Sequence, residues 1–119
     1  VIWPTFSAPT LRLTSVGLTF KHLFTKKYKH QPVIYQAFTW DQLNAWKWAV
    51  DTVGSIARAD VIPALPRIDM IGTMGHITLV NKRGTVHFNQ WEGITVYFDQ
   101  ASKKGATDPT ARVIATIRG

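Results

Sequence analysis

The sequence predicts an α+β fold: mainly antiparallel β-sheet with one central α-helix, at about residues 40–53, and an extended N-terminal arm. Three observations lead there. Between Thr39 and Gly54 the apolar residues recur at helical spacing between cap residues. The last third of the chain instead alternates apolar and polar residues between turn signals. Pro4 and Pro9 bracket the opening aromatics, and a residue with fixed φ and no N–H belongs at a sheet edge. With 119 residues, 45% hydrophobic and 18% charged, the chain suits one globular domain, divided into a 1–10 arm and an 11–119 body.

From the N-terminus, VIWPTFSAPT reads as an arm or edge strand that must bury Trp3 and Phe6 on its own core or on a neighbouring subunit. In LRLTSVGLTF, Leu11 and Leu13 share one parity and Val16, Leu18 and Phe20 the other. A parity switch beside Gly17 predicts a strand with a bulge at residues 15–17. KHLFTKKYKHQP reads as a basic loop or hairpin tip ending at Pro32, and the β-branched, aromatic run VIYQAF, residues 33–38, as a second strand.

Thr39 and Gln42 fit a capping box, in which the hydroxyl accepts from a free backbone N–H and the amide reaches back to the cap. At 100° per residue, Leu43, Trp46, Ala49, Val50 and Val53 share one face and Asp41, Asn44 and Asp51 the opposite one. Trp48 falls in the polar arc, and Gly54 is the expected stop. Beyond it, Pro63 and Pro66 forbid a long helix, which predicts an irregular connection with one short strand.

HITLV (76–80) and TVHFN (85–89) flank the loop NKRG and predict a hairpin with Ile77 facing Phe88 and Leu79 facing Val86. ITVYFD (94–99) continues the sheet with Ile94, Val96 and Phe98 inward. After the polar loop QASKKGATDPT, ARVIATIR closes it, with Val113, Ala115 and Ile117 on the covered face.

Cysteine is absent, which removes disulfides, thiolate metal sites and a Cys nucleophile. No apolar run is long enough to span a membrane. Acids are few and scattered, and neither GxxxxGK[ST], GxGxxG nor GxSxG occurs. No catalytic, cofactor-binding or metal-ligating residue is therefore expected. His76 and His87 fall on one hairpin face, but two imidazoles are fewer ligands than zinc takes.

The net charge of +7 is concentrated, since residues 1–40 hold Arg12, Lys21, Lys26, Lys27 and Lys29 and no acid. Phe24, Tyr28, His22 and His30 interleave with these lysines, and Lys82 and Arg83 sit in the NKRG loop. Cations beside aromatic faces suit a polyanion, so Lys21, Lys26, Lys27, Lys29, Lys82 and Arg83 are the expected contacts. The alternative is a solvated basic loop. Five tryptophans are many for this length, and Trp3, Phe6 and Trp48, without an evident place in the core, are the expected partner interface.

Pro4, Phe6, Ser7, Pro9, Thr10 and Leu11 make a PxFSxPTL-like start, and Phe38, Thr39, Gln42 and Ala45 an FTxxQxxA-like cap. In these stretches the chain resembles small tail-tip and tail-hub-associated structural proteins of tailed bacteriophages, and it departs from them in the proline-bearing stretch after Gly54. The resemblance implies a structural assembly protein of a virion or phage-like particle, a homo-oligomer that also contacts other assembly proteins. It would reside in the virion or the host cytoplasm, without catalysis, cofactor or membrane contact. The alternative is a small basic nucleic-acid-binding module using segment 21–30.

Overall fold

In the computed structural model the described residues are 1–6, 12–79, 90–105 and 110–118. The fold is α+β, with helix outweighing strand, 45% to 24%. Contacts cluster into two compact units, Leu13–Glu92 and Val1–Arg12 with Gly93–Gly119.

The Leu13–Glu92 unit begins with helix α1, Ser15–Tyr28. Its start is chemical: Thr14 is extended, and its hydroxyl accepts from the Gly17 N–H at 3.0 Å. Phe20, Phe24 and Tyr28 recur at i, i+4 and i+8 and form one aromatic ridge, while Lys26 and Lys27 in the last turn complement the helix dipole. Lys29 ends the helix in the left-handed region (φ 62°) and donates its N–H to Thr25 O at 2.9 Å. Most of the bulged strand expected over residues 11–20 and of the basic loop expected over residues 21–32 is thus one helix, while residues 29–32 do lie outside regular structure. Tertiary packing overrides β-branched propensity here, because Gly17 is the point where the helix backbone touches the rest of the unit.

Helix α2, Ile34–Val53, absorbs the strand expected at residues 33–38 and extends the expected helix by about two turns. Gln36, not Gln42, reaches back to the cap: its Oε1 accepts from the Val33 N–H at 2.5 Å. Thr39 lies inside the helix and donates its hydroxyl to Tyr35 O at 2.9 Å. Gly54 does stop the helix, at φ 66° with its N–H on Val50 O.

The expected faces of this helix hold only in part: Ala49, Val50 and Val53 do face the core and Asp51 is exposed, but Leu43, Trp46, Asp41 and Trp48 change sides. Ala37, Asp41 and Ala49 are buried and Trp48 is half-buried, whereas Leu43 is 61% and Trp46 50% exposed. Small residues let α2 approach its neighbours closely, so its inward face is less apolar than its outward one.

The second half of α2 packs on helix α3, Arg58–Ala64, through a core of Ala49, Val61 and Ala64 flanked by Trp48, Val50, Val53 and Leu65. The connection expected to be irregular therefore contains a helix, and Pro63 and Pro66 keep it to seven residues before a single 3-10 turn, Leu65–Arg67. Strand β2 (Asp69–Ile71) follows, the short strand expected there, then β3 (His76–Leu79) and β4 (Trp91–Glu92) in an antiparallel sheet of order β2-β3-β4. The NKRG loop and TVHFN lie outside the described residues.

In the other unit, β1 (Ile2–Thr5), β5 (Val96–Gln100) and β6 (Arg112–Ile117) form an antiparallel sheet of order β1-β5-β6. The arm is an edge strand, as Pro4 requires, and it pairs within its own chain, Trp3 opposite Asp99. On β5 the buried parity is Tyr97 and Asp99, not Val96 and Phe98, which are half-buried. Every residue of β5 is at least half-buried, so alternation does not identify its inner side. On the edge strand β6 only Val113 is partly buried, and Ala115 and Ile117 are exposed. Its register slips between Phe98 and Asp99.

Candidate functional site

The β2–β3 turn is the structural centre of the Leu13–Glu92 unit. Gly72 donates its N–H to Gly75 O at 2.8 Å to close the turn, and Thr73 at its tip is fully buried. Both long helices hold it. From α2, the Asp41 carboxylate accepts the Thr73 N–H at 2.9 and 3.0 Å and the Thr73 hydroxyl at 2.7 Å. At the start of α1, Thr14 donates its N–H to Thr73 O at 3.1 Å and its hydroxyl to Gly72 O at 2.6 Å. Burial pushes the Asp41 carboxyl above its ordinary range, against the lowering effect of the two Thr73 donors.

Two concavities flank α2. One is an apolar slot of about 370 Å³ bordered by Phe38, Trp46, Leu65, Leu79 and Trp91, with the Gln42 amide at its rim. Trp91 is fixed by its indole N–H, which donates to His76 O at 2.8 Å, and it meets Phe38 edge-on at 6.4 Å. Asp41 also borders the slot, but Thr73 already occupies its oxygens, so the wall is chemically quiet. Such a slot takes an aliphatic or aromatic body of small-molecule size.

The other concavity, about 330 Å³, lies between α1 and α2. Phe20 and Trp40 stack across it with centroids 5.3 Å apart, Phe24 and Tyr28 continue the aromatic wall at 4.6 Å, and Lys27 lies over the Tyr28 ring at 5.2 Å. The sequence places Phe24 and Tyr28 in a loop and Phe20 in a strand, and only Trp40 in a helix. The i, i+4 spacing of Phe20, Phe24 and Tyr28 was the signal that would have placed them on one helix face.

The expected polyanion contacts Lys21, Lys26, Lys27 and Lys29 are all exposed, on α1 or its cap. Lys82 and Arg83 lie outside the described residues. Of the expected interface tryptophans, Trp48 does not point outward but packs on the α2–α3 core. Trp3 is half-buried in β1, and Phe6, just after it, is exposed. These two belong to one unit, and Trp48 with the lysines to the other. His76 pairs with Asp69 at 2.6 Å, and His87 lies outside the described residues. Among the described residues no helix is long and apolar enough to cross a membrane, and no three His, Cys, Asp or Glu residues gather where a metal could bind.

No family model matches the sequence, and no curated protein matches it. Among solved structures the chain is similar to the leucine-binding protein LivK from Thermotoga maritima, with a TM-score of 0.71 and 17% sequence identity. The likeness covers 98% of this chain and 30% of that chain, and at this identity it is a likeness of fold.

Proposed function

We propose that this chain forms part of a binding protein for a small amino-acid-class ligand with an aliphatic side chain. The observation that carries the reading is the likeness of fold to a leucine-binding protein over nearly the whole of this chain. The slot beside α2 supports it. Phe38, Leu79 and Trp91 offer apolar walls, and Gln42 an amide at the rim that can donate to a carboxylate and accept from an ammonium. The chain spans 30% of the leucine-binding protein's length, and the walls of the slot all come from this chain.

The test is thermal unfolding with L-leucine, L-isoleucine and L-valine, with L-glutamate and acetate as controls. A ligand at about a hundred times its Kd stabilises by about 2.7 kcal/mol, a rise of about 10 °C for a domain of this size. A rise with the aliphatic amino acids alone supports the reading. Equal responses to all five compounds, or none at millimolar concentration, would overturn it.

A second reading, a structural component acting through protein contacts as the tail-protein resemblance implies, draws on the outward apolar face of α2, with Tyr35 and Leu43 largely exposed. Light scattering tests it, because a monomer at all concentrations with no partner captured leaves it without support.

A further inference from the structure

We propose that the trough between α1 and α2 docks an amphipathic helix of a partner protein, one whose apolar stripe is flanked by carboxylates. The trough's shape, its exposed apolar rims and the charge around it point to this partner independently of the amino-acid reading.

Two helices form the walls, with Phe20 buried at the base and Leu23, Tyr28, Trp40 and Leu43 along the rims. Those four side chains are 51%, 51%, 38% and 61% exposed. Single exposed apolar residues are ordinary, but four large ones around one concavity make a contiguous patch. A trough between two helices is the shape that a third helix fills, ridge into groove, with anchors spaced three and four residues apart.

Two polar groups of the trough already have partners within the chain. Gln36 Oε1 accepts from the Val33 N–H, and the Thr39 hydroxyl donates to Tyr35 O. The floor therefore rewards an apolar occupant and offers little to the hydrogen-bonding edge of a nucleobase.

Charge selects among apolar occupants. Lys27 lines the trough, and Lys21, Lys26 and Lys29 are exposed on the same helix or its cap. Residues 1–40 contain no carboxylate. Among the described residues the Lys47–Asp51 ion pair and the His76–Asp69 contact do not involve a lysine of α1. The partial charge at the α1 C-terminus, about half an elementary charge, offsets only part of this excess. A helix bearing Glu or Asp beside its apolar stripe would neutralise the rest.

The test uses the whole chain and two fluorescein-labelled peptides of about five helical turns. They share a leucine stripe and differ in carrying glutamate or lysine at the remaining positions. Fluorescence anisotropy should show saturable binding of the glutamate peptide, at least about tenfold tighter than the lysine peptide and weakened by salt. Leu43→Ser should weaken the glutamate peptide about tenfold or more, and Lys27→Glu should weaken it while improving the lysine peptide. Both side chains lie at the surface, so circular dichroism melts of the variants should match the parent. No binding of the glutamate peptide, or equal binding of both peptides, overturns the proposal. So does displacement of the glutamate peptide by a single-stranded oligonucleotide. A concentration-dependent dimer that Leu43→Ser abolishes would also overturn it, because a second copy would then be the occupant.

Discussion

Replacing Gly17 with alanine sets two large effects of opposite sign against each other. In an exposed helix interior the change stabilises by about 1 kcal/mol, because alanine loses less backbone freedom on folding. Here a methyl group built on Gly17 would overlap the Thr73 carbonyl oxygen and press on its carbon at 2.9 Å. The turn would have to retreat, and it is tied at that point by Thr14 N–H to Thr73 O and by Thr14 O–H to Gly72 O. Losing two such hydrogen bonds costs about 2 kcal/mol, and overpacking adds about 1–3 kcal/mol. Set against the propensity gain, Gly17→Ala should therefore destabilise by about 2–4 kcal/mol. Urea unfolding followed by circular dichroism measures this directly, with the slope compared to confirm that the same surface is exposed. A stabilised Gly17→Ala variant would refute the docking of the turn against α1.

Three further perturbations address other parts of the same unit. Trp48→Ala should cost about 2 kcal/mol or more in the same urea assay, because it opens a cavity beside Ala49, Val61 and Ala64, whereas Trp46→Ala should change stability by less than about 1 kcal/mol. Since burial raises the Asp41 carboxyl above 3.8, the folded state keeps a proton that the unfolded state loses first. The stability from that proton is full below 3.8 and is lost as pH rises through the folded-state value. Asp41→Asn should flatten that slope in a pH series of melts, and an unchanged slope would contradict the assignment. Lys29 occupies the left-handed region at φ 62° without being glycine, so Lys29→Gly should raise stability by about 1 kcal/mol.

The parts of the fold legible in the sequence were those where local chemistry acts alone. Gly54 ends its helix as read, Pro4 puts the arm at a sheet edge, Pro63 and Pro66 keep α3 short, and His76–Leu79 is a strand. The α+β class held as well. The errors lie where tertiary contact decides. The apolar parity of residues 11–20 and the β-branched, aromatic run at 33–38 suggest strand, but α1 is fixed by the approach of Gly17 to Thr73 and α2 by its packing on the turn and on α3. On α2 the periodicity identifies Ala49, Val50 and Val53 as inward but misplaces Leu43, Trp46 and Asp41, because the first half of the inward side is built from Ala37 and Asp41, residues that hydrophobic periodicity counts as weak or polar. Asp41 is inward only because Thr73, distant in sequence, supplies its hydrogen bonds. The basic residues of the candidate trough were legible, but the concavity was not, since it exists only once segments 15–28 and 34–53 are both helices side by side.

Equilibrium dialysis of the protein against radiolabelled L-leucine tests the central functional claim most directly, because it counts bound ligand without relying on a change in fold or fluorescence. The account predicts saturable retention displaced by excess unlabelled L-isoleucine or L-valine, and weakened when Trp91→Ala or Leu79→Ala alters the wall of the slot. Retention no greater than that of an unrelated protein, with the chain shown to be folded, would contradict it.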